Sequence, residues 1–497
     1  MKDKILKNLK INLVITLGIG ILNFVVNKFF AKYMGIEELG LMKLFTQMVA
    51  YLSLADLGIA QASSYALYKP LIEKDNKKIS LIVSTIDSFY KKISVIILVV
   101  GIGLNLLIPY FIELKIYKKE IYLYWSLYVI NTSVSYIFAK YSVLFSANQE
   151  YGFVRRVQGS GKIVIQIFQI IILIKTQNFL LFIIIMILEN LYNYIFYRKH
   201  YKKEYMYIRK VKDRDKNIVK DMKNLFWHKI GTLVVHNTDY IILSKFVSLS
   251  IVGIYSSYLI IYQMLLTLIN ILTSVLTPKI GVFVTKNNKE KIYEYWRELF
   301  SIYIFISTIF IILAYLLMNS FVKLWLGDKF LLSKLTVILI LINLFIHLIR
   351  GVIEVFKTSC GFFDDTYSPI LESVLNFIVS IILVQKIGLN GVVIGTLVSN
   401  IVVILILKPI LVFKRCFAKS GWKYILDCLK LFLMSIISGI AVISILNIVK
   451  VDIYLISNWK EFILKMITLG IISTIVVFII LIFDKYFRNF IIKNITK

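Results

Sequence analysis

Charged residues are scarce in this chain of 497 residues: 17% against about a quarter in an ordinary soluble domain, while 59% are hydrophobic and the mean hydropathy is +0.80. That balance excludes a soluble globular protein. Cysteine is rarer still, with Cys360, Cys416 and Cys428 all near the ends of apolar runs expected to face a reducing compartment. They have no metal-ligand spacing and do not suit a disulfide framework, so they are read as packing residues. A nucleotide loop is missing as well. The nearest lookalike, GSGKI at 159–163, has Arg156 where the upstream glycine belongs and Ile163 where Ser or Thr would hold magnesium. No metal cluster or nucleophile–base arrangement stands out, and no cofactor is expected. Connectors on the outer side run to roughly 3–15 residues once spans of ~20 residues are set aside, too little for a catalytic domain. An enzyme is therefore not expected. MKDKILKNLK at the start is followed by an apolar run with no small-residue cleavage site, so the first span is expected to be retained.

What the chain does have is apolar windows long enough to cross a ~30 Å hydrocarbon core at 1.5 Å per residue. Fourteen are read, at about 11–31, 41–67, 93–114, 121–145, 157–177, 179–197, 224–247, 251–276, 297–318, 334–357, 366–386, 389–413, 428–449 and 460–484. The net charge of +30 gathers in the odd-numbered connecting segments. The positive-inside rule then puts both termini in the cytoplasm. The longest basic stretch, RKHYKKEYMYIRKVKDRDKNIVKDMK at 198–223, is expected to touch anionic inner-leaflet lipid rather than nucleic acid.

One offset recurs along the chain. Gly40 and Gly253, Ile79 and Ile292, and Ser146 and Ser359 are each 213 residues apart and occupy corresponding places around the spans. The reading is an internal repeat of six spans, and because six is even the two units are related by an axis along the membrane normal. The expected organisation is an N-lobe at 1–197 with helices 1–6, a basic interlobe linker at 198–223, a C-lobe at 224–413 with helices 7–12, and 414–497 carrying helices 13 and 14 with a cytoplasmic tail.

Several spans carry ionisable residues at depth, where each costs about 2.5–3.5 kcal/mol unless paired or hydrated. On the tenth span Asn343, His347, Arg350 and Glu354 share one helical stripe. Arg350 and Glu354, at i and i+4, could equally form a purely structural ion pair. On the seventh span Lys229, Thr232, His236 and Asp239 form a similar line, and Asp239 suits either ion coupling or helix packing. The first lobe offers Lys28 beside Asn23 and Asn27, Lys32 and Lys43 nearer the outer interface where snorkelling is favoured, and Lys140 in the inner third. Asp56 lies on a small, polar stripe with Ser53 and Ala60 that suits close packing as well as a cation site. The 31 tyrosines could supply interfacial belts or sugar-stacking faces.

GIEELGLMKLFTQMVAYLSLADLGIAQASSYALYK at 35–69, NTDYIILSKFVSLSIVGIYSSY at 237–258 and FDDTYSPILESVLNFIVSIILVQKIGLNGVVIGTLVS at 363–399 resemble the polysaccharide flippases of the multidrug/oligosaccharidyl-lipid/polysaccharide exporter superfamily, a likeness that extends over essentially the whole chain. The resemblance implies transfer of a polyprenyl-pyrophosphate-linked oligosaccharide across a bacterial cytoplasmic membrane through a wet, cationic cavity between two lobes. It would serve biosynthesis of a surface polysaccharide such as O-antigen or capsule, with protons or sodium as coupling ions and a polysaccharide polymerase as a partner. Arg350, His347, Asn343, Lys28, Lys43 and Lys140 would then border the cavity, with Asp239, Glu354 and Asp56 as ion-coupling candidates. In related flippases cations on the first two helices hold substrate phosphates, which bears on Lys28 and Lys43, although both lack the bidentate fork of an arginine. An anionic substrate leaving a negative interior gains ~2.3 kcal/mol per charge per 100 mV, so nucleotide hydrolysis is not required. The alternatives are a cation-coupled drug or metabolite exporter of the same superfamily, and a membrane sugar polymerase or ligase.

Overall fold

The computed structural model describes residues 2–53, 59–112, 119–215, 238–362, 365, 367–449 and 456–495, and every regular element among them is helical. Eleven described helices are long and apolar enough to cross a membrane, so the chain is a multi-pass membrane protein. These eleven coincide with eleven of the fourteen expected spans. The other three, at 41–67, 121–145 and 224–247, fall on shorter or less apolar helices and on residues outside the description.

Two compact units divide at Gly253. The first contains α1 (Lys2–Tyr33), α2 (Ile36–Leu52), α3 (Ile59–Glu73), α4 (Asn76–Phe111), α5 (Glu120–Ile137), α6 (Ala139–Ala147), α7 (Tyr151–Thr176), α8 (Phe179–Glu204) and α9 (Asp239–Phe246), and ends in the first turn of α10 (Leu249–Lys286). Small and polar residues set its helix spacing, as expected where lipid removes the hydrophobic drive between helices. Ser94 on α4 and Ser133 on α5 each donate to the other's carbonyl, at 2.8 and 2.9 Å, and Gly101 accepts from the Trp125 indole at 2.7 Å. Along α1 and α7, Gly159 takes the Ile15 side chain and Gln166 donates to Asn23 at 3.0 Å. Where α8 ends, the Tyr205 hydroxyl donates to Glu150 at 2.8 Å. Burial, reinforced by that carboxylate, pushes its phenol upward from the ordinary value.

The second unit holds the rest of α10 with α11 (Lys289–Leu326), α12 (Lys334–Ser359), α13 (Tyr367–Ile387), α14 (Leu389–Phe417), α15 (Gly421–Ile448), α16 (Trp459–Leu481) and α17 (Lys485–Ile495). Its tightest pair is α13 with α14, where Gly391 and Gly395 lie so close to Leu383 and Ser380 that a side chain at either would strike them. The C-terminal helices are tied to α11 by a buried ionic cluster. Arg297 bonds Asp484 at 3.0 Å and Ser301 at 2.8 Å, lies 3.5 Å from Asp427, and sits 5.0 Å from the Tyr486 ring. Tyr293 completes Asp427 at 2.7 Å. Removing one member of such a set strands a buried charge.

The 213-residue offset reappears in local structure. The α4 and α11 starts are capped alike, Asp75 accepting from Lys78 N–H at 2.9 Å and Asn288 from Lys291 N–H at 3.0 Å. Ile36 and Leu249, which open α2 and α10, stand at the same offset, and the two helix starts meet within the first unit. A Cβ at Gly40 would strike the Leu249 carbonyl, and one at Gly253 the Ile36 carbonyl. Glu37 accepts from Ser250, again 213 positions on. The contact is reciprocal, each helix start meeting the other at positions 213 apart.

Because backbone stands where the Cβ would go, Gly40→Ala and Gly253→Ala are each expected to cost about 1–3 kcal/mol. Gly20→Ala on α1, which meets nothing within 4 Å, should not. Thermal unfolding of the purified full chain checks this, and equal midpoints for all three variants would contradict it.

Candidate functional site

The stripe Asn343–His347–Arg350–Glu354 lies on α12, whose start is capped by Ser333 accepting from Thr336 N–H at 3.2 Å. Its upper part docks on α14: Asn343 donates to the Val393 carbonyl at 3.1 Å and accepts from Asn400 at 2.8 Å. His347 Nε2 lies 3.2 Å from Asn400 Oδ1, with the imidazole edge-on to Tyr262. Its lower part is ionic. Glu354 is met by Lys408 of α14 at 2.9 Å, by Lys357 at 3.4 Å and by Arg350 at 3.4 Å. Lys357 also grips Asp365 through both oxygens at 2.7 Å, and Arg350 reaches Glu372 of α13 at 3.6 Å.

Three cations and three carboxylates therefore compensate one another along the lower part of α12 and the connector that follows it. The Arg350–Glu354 ion pair weighed from the sequence is present, as one edge of a larger network. Two features separate the network from an inert brace. Arg350 and Glu354 keep 29% and 28% of their side chains exposed, and both contacts of Arg350 are long, at 3.4 and 3.6 Å. Glu372 is buried, yet among the described residues its Oε2 has no hydrogen-bond partner, which leaves this carboxylate less compensated than Glu354. Backbone irregularity accompanies the network: α14 is wound as a π-helix at Asn400–Leu407, just before Lys408, and again at Phe413–Phe417. Such segments re-aim side chains and often accompany functional positions. Here the first precedes the turn that presents buried Lys408 to Glu354.

The remaining expected residues are dispersed. Lys28 is exposed and Lys43 half-buried, and among the described residues neither has a carboxylate partner. Lys32 is exposed and stacks 5.1 Å over Tyr33, in keeping with an interfacial anchor. Lys140 is paired with Asp87 at 3.1 Å, a carboxylate shared with Lys91 at 2.7 Å. Asp239 opens α9 half-buried, where a helix N-terminus favours its charge. Asp56, Lys229, Thr232 and His236 lie outside the described residues. The residues not singled out from the sequence are Lys357, Asp365, Glu372 and Lys408. Glu372 and Lys408 carried a usable signal, since each is a lone charge within an apolar run.

Lys408→Met should cost about 2–4 kcal/mol by leaving Glu354 undercompensated, and adding Glu354→Gln should recover at least half of the loss. A double-mutant cycle on thermal stability checks the coupling, and strictly additive losses would contradict it.

The family described as "polysaccharide biosynthesis protein" matches residues 5–284. No curated relative matches the chain by sequence. Among solved structures, the lipid II flippase MurJ in an inward closed conformation superposes with a TM-score of 0.72 at 16% identity, over 95% of this chain and 99% of that one. An inward-facing multidrug resistance MATE transporter of the MOP superfamily gives 0.58 at 15% identity, over 79% and 94%. A point mutant of the Vibrio cholerae MATE transporter VcmN gives 0.53 at 14%, over 85% and 95%. The fold is thus the one shared with the lipid II flippase MurJ and the MATE transporters, and the chain belongs to the polysaccharide biosynthesis protein family.

Proposed function

We propose that this protein flips a polyprenyl-pyrophosphate-linked oligosaccharide repeat unit from the inner to the outer leaflet of a bacterial cytoplasmic membrane by alternating access, supplying surface polysaccharide biosynthesis. The reading takes both termini as cytoplasmic and the chain as two six-helix repeats, 1–197 and 224–413, joined by the linker at 198–223, with 414–497 appended. The observation that carries it is the ionically balanced face of α12, on which Arg350 and Glu354 stay partly exposed, found in a chain of this family.

Balance suits a carrier that must release its cargo. An unpaired guanidinium at depth would hold a pyrophosphate too firmly, whereas Arg350, held by Glu354 at 3.4 Å and Glu372 at 3.6 Å, can exchange a carboxylate for a phosphate oxygen. Glu372, once released, would be a buried carboxylate without its ion-pair partner, which favours the return of Arg350 and release of the phosphate. Lys28 and Lys43 are further phosphate contacts in this reading, and Asp239 and Asp56 remain coupling candidates. A polysaccharide polymerase would consume the product. The sharing of the fold with a lipid II flippase supports a lipid-linked cargo.

A cation-coupled exporter of small molecules is the second reading, favoured by the neutrality of the α12 network and by the likeness to multidrug transporters. The two readings part in proteoliposomes. Arg350→Ala should lower transfer of a lipid-linked oligosaccharide at least tenfold and abolish surface polymer with the protein still inserted, and Arg350→Lys should keep part of the rate. A normal transfer rate and polymer level in Arg350→Ala would remove Arg350 from the path, and drug efflux without lipid transfer would favour the exporter.

A further inference from the structure

Beyond α8, the described part of the basic linker does not run free in solvent. Backbone N–H groups of Arg209, Val211 and Asp215 donate to the hydroxyls of Ser80, Ser84 and Thr85 on α4, at 3.1, 3.0 and 3.1 Å. A backbone N–H bonded to a hydroxyl on a packed helix holds its residue in place, so the segment is a strap laid along the first half of α4. Between strap and helix lies a cavity of about 690 Å³.

Its lining has two characters. Lys92, Lys210, Lys212 and Arg214 border it, all exposed, and among the described residues none has a carboxylate within ion-pair distance. Asp87 borders it too, but that carboxylate is already taken by Lys91 and Lys140. Asp213 is the one other acidic residue on the described rim. Beside these cations the same cavity is floored by Val95 and Ile96, each 59% exposed and each within the apolar span Asn76–Phe111. A cationic collar continuous with a lipid-facing apolar wall fits a molecule that has a phosphate at one end and acyl chains at the other.

We infer that the α4–strap cavity is a binding site for the phosphate of an anionic phospholipid, with Lys92, Lys210, Lys212 and Arg214 holding the headgroup and Val95 and Ile96 bordering the first methylenes. Basic side chains beside a bilayer each contribute to attraction of anionic lipid, and fixing three of them on one strap gathers that attraction at one point. The site shares no residue with the α12 network, so it stands or falls independently of the transported cargo.

The test uses the detergent-purified full chain. Native mass spectrometry measures the apparent Kd for phosphatidylglycerol and for phosphatidylcholine, and inorganic phosphate is added as a competitor. Phosphatidylglycerol should bind at least tenfold more tightly than phosphatidylcholine. The combined Lys210→Gln, Lys212→Gln and Arg214→Gln variant should weaken phosphatidylglycerol at least tenfold. Lys74→Gln, Lys77→Gln and Lys78→Gln, which remove equal charge outside the cavity, should change it less than twofold. Ser84→Ala alters no charge and should still weaken it about threefold by loosening the strap. An equal loss in the two triple variants would overturn the built site in favour of diffuse attraction. Displacement of phosphatidylglycerol by millimolar inorganic phosphate would overturn the lipid in favour of a soluble anion.

Discussion

A charge inside hydrocarbon must be paired by its own protein or reach water, and this requirement organises the structure. On α12 it produces a network in which Glu354 answers to Arg350, Lys357 and Lys408. In the first unit it pairs Lys140 with Asp87, and at the foot of the C-terminal helices it encloses Arg297 between Asp484 and Asp427. Each set adds little net stability over a hydrophobic equivalent of the same volume, but losing one partner is costly. The sets therefore specify which helices lie together. On α12 the network keeps Arg350 and Glu354 29% and 28% exposed, and Glu372 Oε2, like Asp87 Oδ1, has no hydrogen-bond partner among the described residues.

Helix association without a hydrophobic drive explains the second regularity. Contacts are made where side chains are small: Gly40 and Gly253 at the meeting of α2 with α10, Gly391 and Gly395 between α13 and α14, Ser94 with Ser133 between α4 and α5. The Gly40–Gly253 contact also explains why the first compact unit continues to Gly253 and does not end at the basic linker. The start of α10 is held by the start of α2, its counterpart 213 residues earlier.

Much of this was legible in the residues. Hydropathy placed eleven spans because apolar length is a property of sequence alone, and the 213-residue offset was visible because caps and close-packed glycines are local requirements written in single residues. The α12 stripe was legible as a face, since 3.6-residue periodicity puts Asn343, His347, Arg350 and Glu354 together. Its partners were not: Asp365, Glu372 and Lys408 reach it from other elements, and periodicity within one helix carries no information about which helix packs on it. The tyrosines divide in the same way. Tyr90, Tyr197, Tyr205 and Tyr258 are buried, while Tyr65, Tyr110 and Tyr151 are exposed, a sorting that follows from packing and cannot be read from composition.

The central claim is that the balanced face of α12 meets the phosphate of a lipid-linked sugar during transfer. It is tested most directly by a polyprenyl-pyrophosphate oligosaccharide carrying a photoreactive group next to the pyrophosphate, cross-linked in proteoliposomes and mapped by peptide mass spectrometry. The account predicts adducts on the α12 segment 343–357, suppressed by excess unlabelled lipid-linked sugar. Specific, competable adducts confined to other helices, with α12 unlabelled, would contradict it.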